Sequence, residues 1–119
     1  MAANTPLQQR PAMLYKFKSK DSADVIMMGP AGDHLLKLLG RPVTAKGIFE
    51  PADLPALMAA IEQAVAADEA AYAQAQAEAR AEGVQLPPRE GVSLRQRVWP
   101  LLEMMRRALA KHHDVVWGV

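Results

Sequence analysis

SLRQRVWPLLEMMRRALAKHHDVVWGV, residues 93–119, is the stretch whose reading decides the fold. Leu94, Val98, Leu101, Leu102, Met105, Ala108 and Leu109 recur at spacings of three and four, which lays one apolar stripe along a helix. Ser93 and Gln96 have the spacing of a capping box at its start. Arg106, Arg107, Lys111, His112 and His113 fall in the last turns, where positive charge suits the negative end of the helix dipole. Val115-Val116-Trp117 then has strand character. A helix that hands straight over to a strand needs a sheet to join.

The remaining 92 residues supply that sheet and a second helix. Met13, Tyr15 and Phe17 alternate with Lys16 and Lys18, the period of a strand with one buried face and one wet face. Lys20-Asp21-Ser22 is a polar turn, and Val25–Met28 follows as the second strand of a hairpin. That strand is apolar on both faces, so it is expected to be central and covered twice, or covered in part by another copy of the protein. Gly29-Pro30-Ala31-Gly32 breaks it. Asp33 then reads as the cap of a short helix carrying Leu35, Leu36, Leu38 and Leu39 and closed by Gly40 and Pro42. Thr44–Phe49 is a third extended run. Pro51 stands at a first helical position, and Leu54, Leu57, Met58, Ile61 and Val65 form the second apolar stripe. From Ala66 to Ala81 helix propensity persists while anything to bury nearly vanishes, which predicts an extension that is solvated or lies on a partner. Pro100, inside the decisive stretch, predicts a kink, the alternative being a separate turn that feeds a new helix.

Composition bounds what such a chain does. Its 119 residues make one domain, and 22 of the apolar residues are alanines, so Leu, Ile, Val, Met and six aromatics must form the core. The formal charge of +1 gives no global field toward nucleic acid or an acidic membrane. Locally, residues 50–82 hold seven acidic side chains and one basic, and residues 89–111 hold six basic and two acidic, so the two long helices should attract along their flanks. The absence of cysteine removes disulfides, thiolate catalysis and sulfur-ligated zinc. No apolar run has the length of a membrane span, and no signal-peptide core is visible, so the cytoplasm is the expected compartment. Residues 1–12, with Pro6 and Pro11, have the composition of a disordered arm, and Met13 stands where an ordered domain over 13–119 would begin.

The runs MLYKFKS (13–19), ADVIMM (23–28), LLKLLG (35–40) and LRQRVWPLLEMM (94–105), with the Val116-Trp117 tail, resemble an uncharacterised proteobacterial family, domain of unknown function 1840. The likeness covers residues 13–119. It implies no activity, cofactor or catalytic residue.

Candidate sites are therefore read from the residues themselves. His112-His113-Asp114 is the most ligand-like cluster, but neighbouring helical residues point about 100° apart and two adjacent imidazoles reach one metal poorly. Their plainer role is to complement the helix dipole. His34 beside Asp33 completes a site only if the fold brings them there. Gly29–Gly32 lacks the lysine and hydroxyl of a nucleotide loop and reads as a turn. Glu103, set among apolar neighbours, becomes a functional candidate if buried. Arg95 and Arg97 beside Trp99 could stack on a base, against which stand the few aromatics and the neutral charge. Met27, Met28, Met58, Met104 and Met105 serve equally as core filler or as adaptable contact surface.

These readings predict an α+β domain: a small, mainly antiparallel sheet of about four strands (13–19, 25–28, 47–49 and 115–117), packed on one face by two long helices and one short one, with its lysine-bearing face open. The expected function is a non-enzymatic protein-interaction or regulatory module that self-associates, a dimer being favoured. Neither a cofactor nor a metal is expected, no membrane is engaged, and nucleic acid is disfavoured. The alternatives are a small-ligand or metal-binding protein or enzyme using His34, His112 and Glu103, and nucleic-acid binding through Arg95, Arg97, Arg106 and Arg107. Contact residues for a ligand or partner are sought among His34, Arg95, Trp99, Glu103, His112 and His113.

Overall fold

A computed structural model describes residues 14–87 and 92–119. The expected arm over 1–12 and the opening of the first strand at Met13 lie outside the described residues. Alternation sends Tyr15 and Phe17 of β1 (Leu14–Ser19) to the core and leaves Leu14 and Lys16 exposed. A tight turn leads into β2 (Ser22–Met28), which pairs antiparallel with β1 in the register Tyr15 with Met27 and Phe17 with Val25. Then follow α1 (Gly29–Leu38), β3 (Gly47–Phe49), a 3-10 turn (Pro51–Asp53), α2 (Leu54–Ala81), α3 (Leu94–Ala110) and β4 (Val115–Trp117). The sheet order is β2-β1-β4-β3, every neighbouring pair antiparallel, and the fold is the expected α+β class.

One face of this sheet carries the core. Tyr15, Phe17, Phe49 and Trp117, four of the six aromatics, line up across β1, β4 and β3 with successive centroids 6.0, 5.7 and 4.7 Å apart. Offset and tilted rings at such separations are favoured over face-to-face sandwiches. On them pack Leu35 and Leu36 of α1, Leu54, Leu57, Ile61 and Val65 of α2, and Val98, Leu101, Leu102, Met104, Met105 and Ala108 of α3. The molecule measures 51 × 46 × 22 Å. The short dimension accommodates one sheet and one helical layer, each about 10 Å deep, and no third layer.

Several expectations are corrected by this arrangement. β2 is an edge strand, not a central one, because β4 returns from the far end of the chain to take the place beside β1. It is also longer than Val25–Met28, beginning at Ser22. Asp33 does not cap α1. The helix starts at Gly29 with Pro30 in its first turn, where a missing N–H costs nothing, and the Asp33 carboxylate instead accepts a hydrogen bond from the Tyr15 hydroxyl. Pro51 opens the 3-10 turn before α2, and Pro55 takes the first-turn position of the helix itself. α3 ends at Ala110, so neither His112 nor His113 belongs to it. It runs unbroken through Pro100, so the separate feeder turn falls away, and the Ser93–Gln96 capping box stands as read. The Ala66–Ala81 extension is helical and mostly exposed.

Two glycines are needed because the rings lie so close to the backbone. A Cβ on Gly32 would stand 2.0 Å from the Tyr15 ring, and one on Gly47 would stand 2.3 Å from the Trp117 ring. Gly32 is therefore a packing device beneath Tyr15. Trp117 is fixed further by its indole N–H, which donates to the Thr44 carbonyl at 3.1 Å. Gly32→Ala should cost about 1–3 kcal/mol, the range for overfilling a packed site, as read by chemical denaturation.

Burial, the hydrogen bond to Asp33 and that carboxylate's charge together push the Tyr15 phenol well above its ordinary value. The folded state thus holds this proton more tightly than the unfolded chain, so the stabilisation is complete below the ordinary tyrosine range and is lost as pH rises beyond it. Tyr15→Phe is expected to be about 1 kcal/mol less stable at neutral pH. The gap to wild type should close above about pH 10 in denaturant melts run across the alkaline range.

Candidate interaction surface

The helices leave the other side of the sheet bare. Opposite residues in paired strands share a face, so Leu14 with Met28, Lys16 with Ile26, and Lys18 with Val116 and Ile48 form the open side. Met28 is 66% exposed, Ile26 60%, Leu14 49% and Ile48 41%. Single exposed aliphatics are ordinary, but four on one sheet face are not scattered. At the β2/β1 corner Leu14, Ile26 and Met28 surround Lys16. At the opposite corner Ile48 and Val116 lead, by one further step of the alternation, to Glu50 and Asp114. At that end of the sheet an open concavity of about 690 Å³ reaches from Ile48 round to the helical layer, lined by Glu50, Pro51, Pro55 of α2, Leu109 of α3, His112 and Asp114.

The sheet's two edges differ. β3 offers only three residues, whereas β2 offers seven, with Asp24 as the single charged side chain among them. Edge strands are normally kept short or charged because their free N–H and C=O groups can pair with another chain.

A second surface lies between α2 and α3, where the expected attraction of acidic and basic flanks is realised. Arg95 of α3 donates to Glu69 of α2 through Nε and Nη2, both at 2.8 Å. That carboxylate keeps the Arg95 guanidinium protonated even beyond its ordinary high range, chiefly through the hydrogen bond. Arg106 donates to Glu103 on its own helix and to Glu62 across the gap at 3.3 Å, and its guanidinium lies 5.1 Å over the Trp99 ring. A shallow concavity of about 170 Å³ opens among Val65, Arg95, Trp99, Leu102 and Arg106. Arg95, Trp99 and Glu103 are thus brought to one surface together with Arg106, and their partners on α2, Glu62 and Glu69, are not marked in the sequence. Arg95, Trp99 and Glu103 stand four apart and Arg106 three further on, which places them on one helical face. Glu103 is half-buried and ion-paired, not enclosed by apolar neighbours.

The three histidines are dispersed. His34 is exposed on α1. The His113 ring meets Asp21 at 2.7 Å between Nδ1 and Oδ2, tying the β1–β2 turn to the approach to β4. His112 stands at φ 57°, the left-handed slot of a helix-ending Schellman turn: the N–H of His113 donates to Ala108 O and that of His112 to Leu109 O. α1 and α2 end in the same bonds with Gly40 and Gly83 in that slot. His112 is thus the C-terminal capping residue of α3 and His113 a side-chain partner of Asp21. His112 and Glu103 line different surface concavities. Among the described residues no three His, Cys, Asp or Glu side chains are placed to hold a metal ion, and no helix is long and apolar enough to cross a membrane.

Comparison with known proteins adds one finding. The family model described as Domain of unknown function (DUF1840) matches residues 13–117. No curated protein and no solved structure matches.

Left-handed backbone costs a residue with a Cβ about 1–2 kcal/mol, offset in part by the greater freedom glycine has when unfolded. His112→Gly is expected to raise stability by about 1 kcal/mol, a Tm gain of about 4 °C. A calorimetric scan checks it.

Proposed function

We infer the function of this chain from its surface, because the chain belongs to the DUF1840 family, a domain of unknown function. It is a non-enzymatic interaction or regulatory module of the cytoplasm that works by associating with a second copy of itself through the open face of its sheet. The observation that carries this reading is the exposure of Leu14, Ile26, Met28 and Ile48 on a sheet whose other face is fully packed. A two-layer fold of this size has enough core to stand alone, so these aliphatics are surplus to folding and suited to contact. The absence of cysteine fits a reducing compartment.

The competing readings draw less support. For the ligand, metal or enzyme reading, His34, His112 and Glu103 would need a common cavity, and they stand on different parts of the surface. For nucleic acid, Arg95 and Arg106 are held by carboxylates of α2 and of α3 itself, which removes two of the four cations that reading needs.

Size-exclusion chromatography with light scattering should give twice the chain mass at tens of micromolar. Ile26→Asp is expected to weaken the dimer about tenfold or more, since it buries a charge at the contact. Its melting temperature should stay close to wild type, because Ile26 contributes little to the monomer core. A strict monomer at that concentration would refute the proposal.

A further inference from the structure

The open face is not uniform, and its pattern selects how two copies meet. Its basic and apolar corner, Lys16 among Leu14, Ile26 and Met28, lies where β1 begins and β2 ends. Its acidic corner, Glu50 and Asp114 beside Ile48, lies where β3 ends and β4 begins. β1 and β3 each run antiparallel to β4 and so run parallel to each other, while β2 and β3 form the two edges. The two corners therefore occupy opposite ends of one diagonal. Among the described residues neither Lys16, Glu50 nor Asp114 makes an ion pair.

Resting on the self-association read above, we propose that the two copies pack open face to open face in a crossed, two-fold arrangement, Lys16 and the Leu14–Ile26–Met28 corner of each covering Ile48, Glu50 and Asp114 of the other. Laying like corner on like corner would oppose Lys16 to Lys16 and the acidic pair to itself, a repulsive juxtaposition that interfaces avoid. Crossing the copies sets each lysine against two carboxylates and each aliphatic cluster against Ile48 and Val116. It makes the same contact twice, so the pair closes and leaves no sticky corner to grow a fibre. The strands of the two sheets then cross steeply, in the orthogonal class of sheet packing.

The arrangement is tested by charge reversal on the full chain. Lys16→Glu leaves acid facing acid at both contacts, and the double variant Glu50→Lys/Asp114→Lys leaves base facing base, so each variant alone should dimerise about tenfold or more weakly than wild type. Circular dichroism melts verify that both fold. Mixed in equal amounts, the two variants have opposite charges at both contacts, and a heterodimer of near wild-type affinity should form, loosening as salt is raised. Mass-tagging one variant identifies the heterodimer by light scattering or native mass spectrometry. Either variant dimerising like wild type on its own, or a mixture that stays monomeric, would overturn the crossed packing while leaving self-association in place. A wild-type monomer would overturn both.

Discussion

Four aromatic rings laid along one face of a four-stranded sheet leave the helices a single place to pack. Tyr15, Phe17, Trp117 and Phe49 bring most of the chain's large apolar surface to that side, and a helix is stable in a small domain chiefly through the face it buries. α1, α2 and α3 therefore crowd the same layer, and the backbone beneath the rings must thin to glycine at positions 32 and 47. The same concentration strips the opposite face of any intramolecular cover. One-sidedness is thus the condition from which both the stability of the monomer and the exposure of Ile26 and Met28 follow.

The parts of this fold that were legible in the sequence are those written in local periodicity. The stripes of α2 and α3 and the alternation of β1 are repeated often enough to survive any context, and the Ser93–Gln96 box involves residues three apart. What stayed illegible depends on groups far apart in the chain. β2 is apolar on both faces whether it is central or at an edge, and the choice is made by β4, nearly ninety residues later, taking the place beside β1. Asp33 has the chemistry of a helix cap, but Tyr15, eighteen residues upstream, claims its carboxylate, and Pro30 opens the helix a turn earlier. His112 has the chemistry of a cation at a helix end. Its actual place is decided by backbone: after Ala110 the chain must reverse in the left-handed slot, and no glycine is there to take it.

The candidate surfaces divide along the same line. Arg95, Trp99 and Glu103 share a helical face by simple spacing, so their convergence was available from the sequence, whereas the carboxylates that meet them on α2 required knowing how the two helices dock. Those pairings are exposed and contribute little to stability. They nonetheless take up two of the cations of α3, Arg95 and Arg106. The flank that faces α2 is thus neutralised within the chain, while Lys16, Glu50 and Asp114 on the sheet side make no ion pair among the described residues.

An exposed aliphatic face invites association with other chains. Proteins that must stay monomeric blunt such a face with charges along each strand and shorten or bury its edges. Here β3 is short, but β2 runs seven residues with one carboxylate, and the two lysines of β1 sit between aliphatic clusters without dispersing them. Lysine is suited to this: its stem lies along apolar surface while its ammonium stays wet, so Lys16 can keep a free chain soluble and still line a contact once an acidic partner is supplied. The protein already carries such a partner at the far corner of the same face, and a surface that holds both halves of a complementary pair on one diagonal is answered most simply by itself.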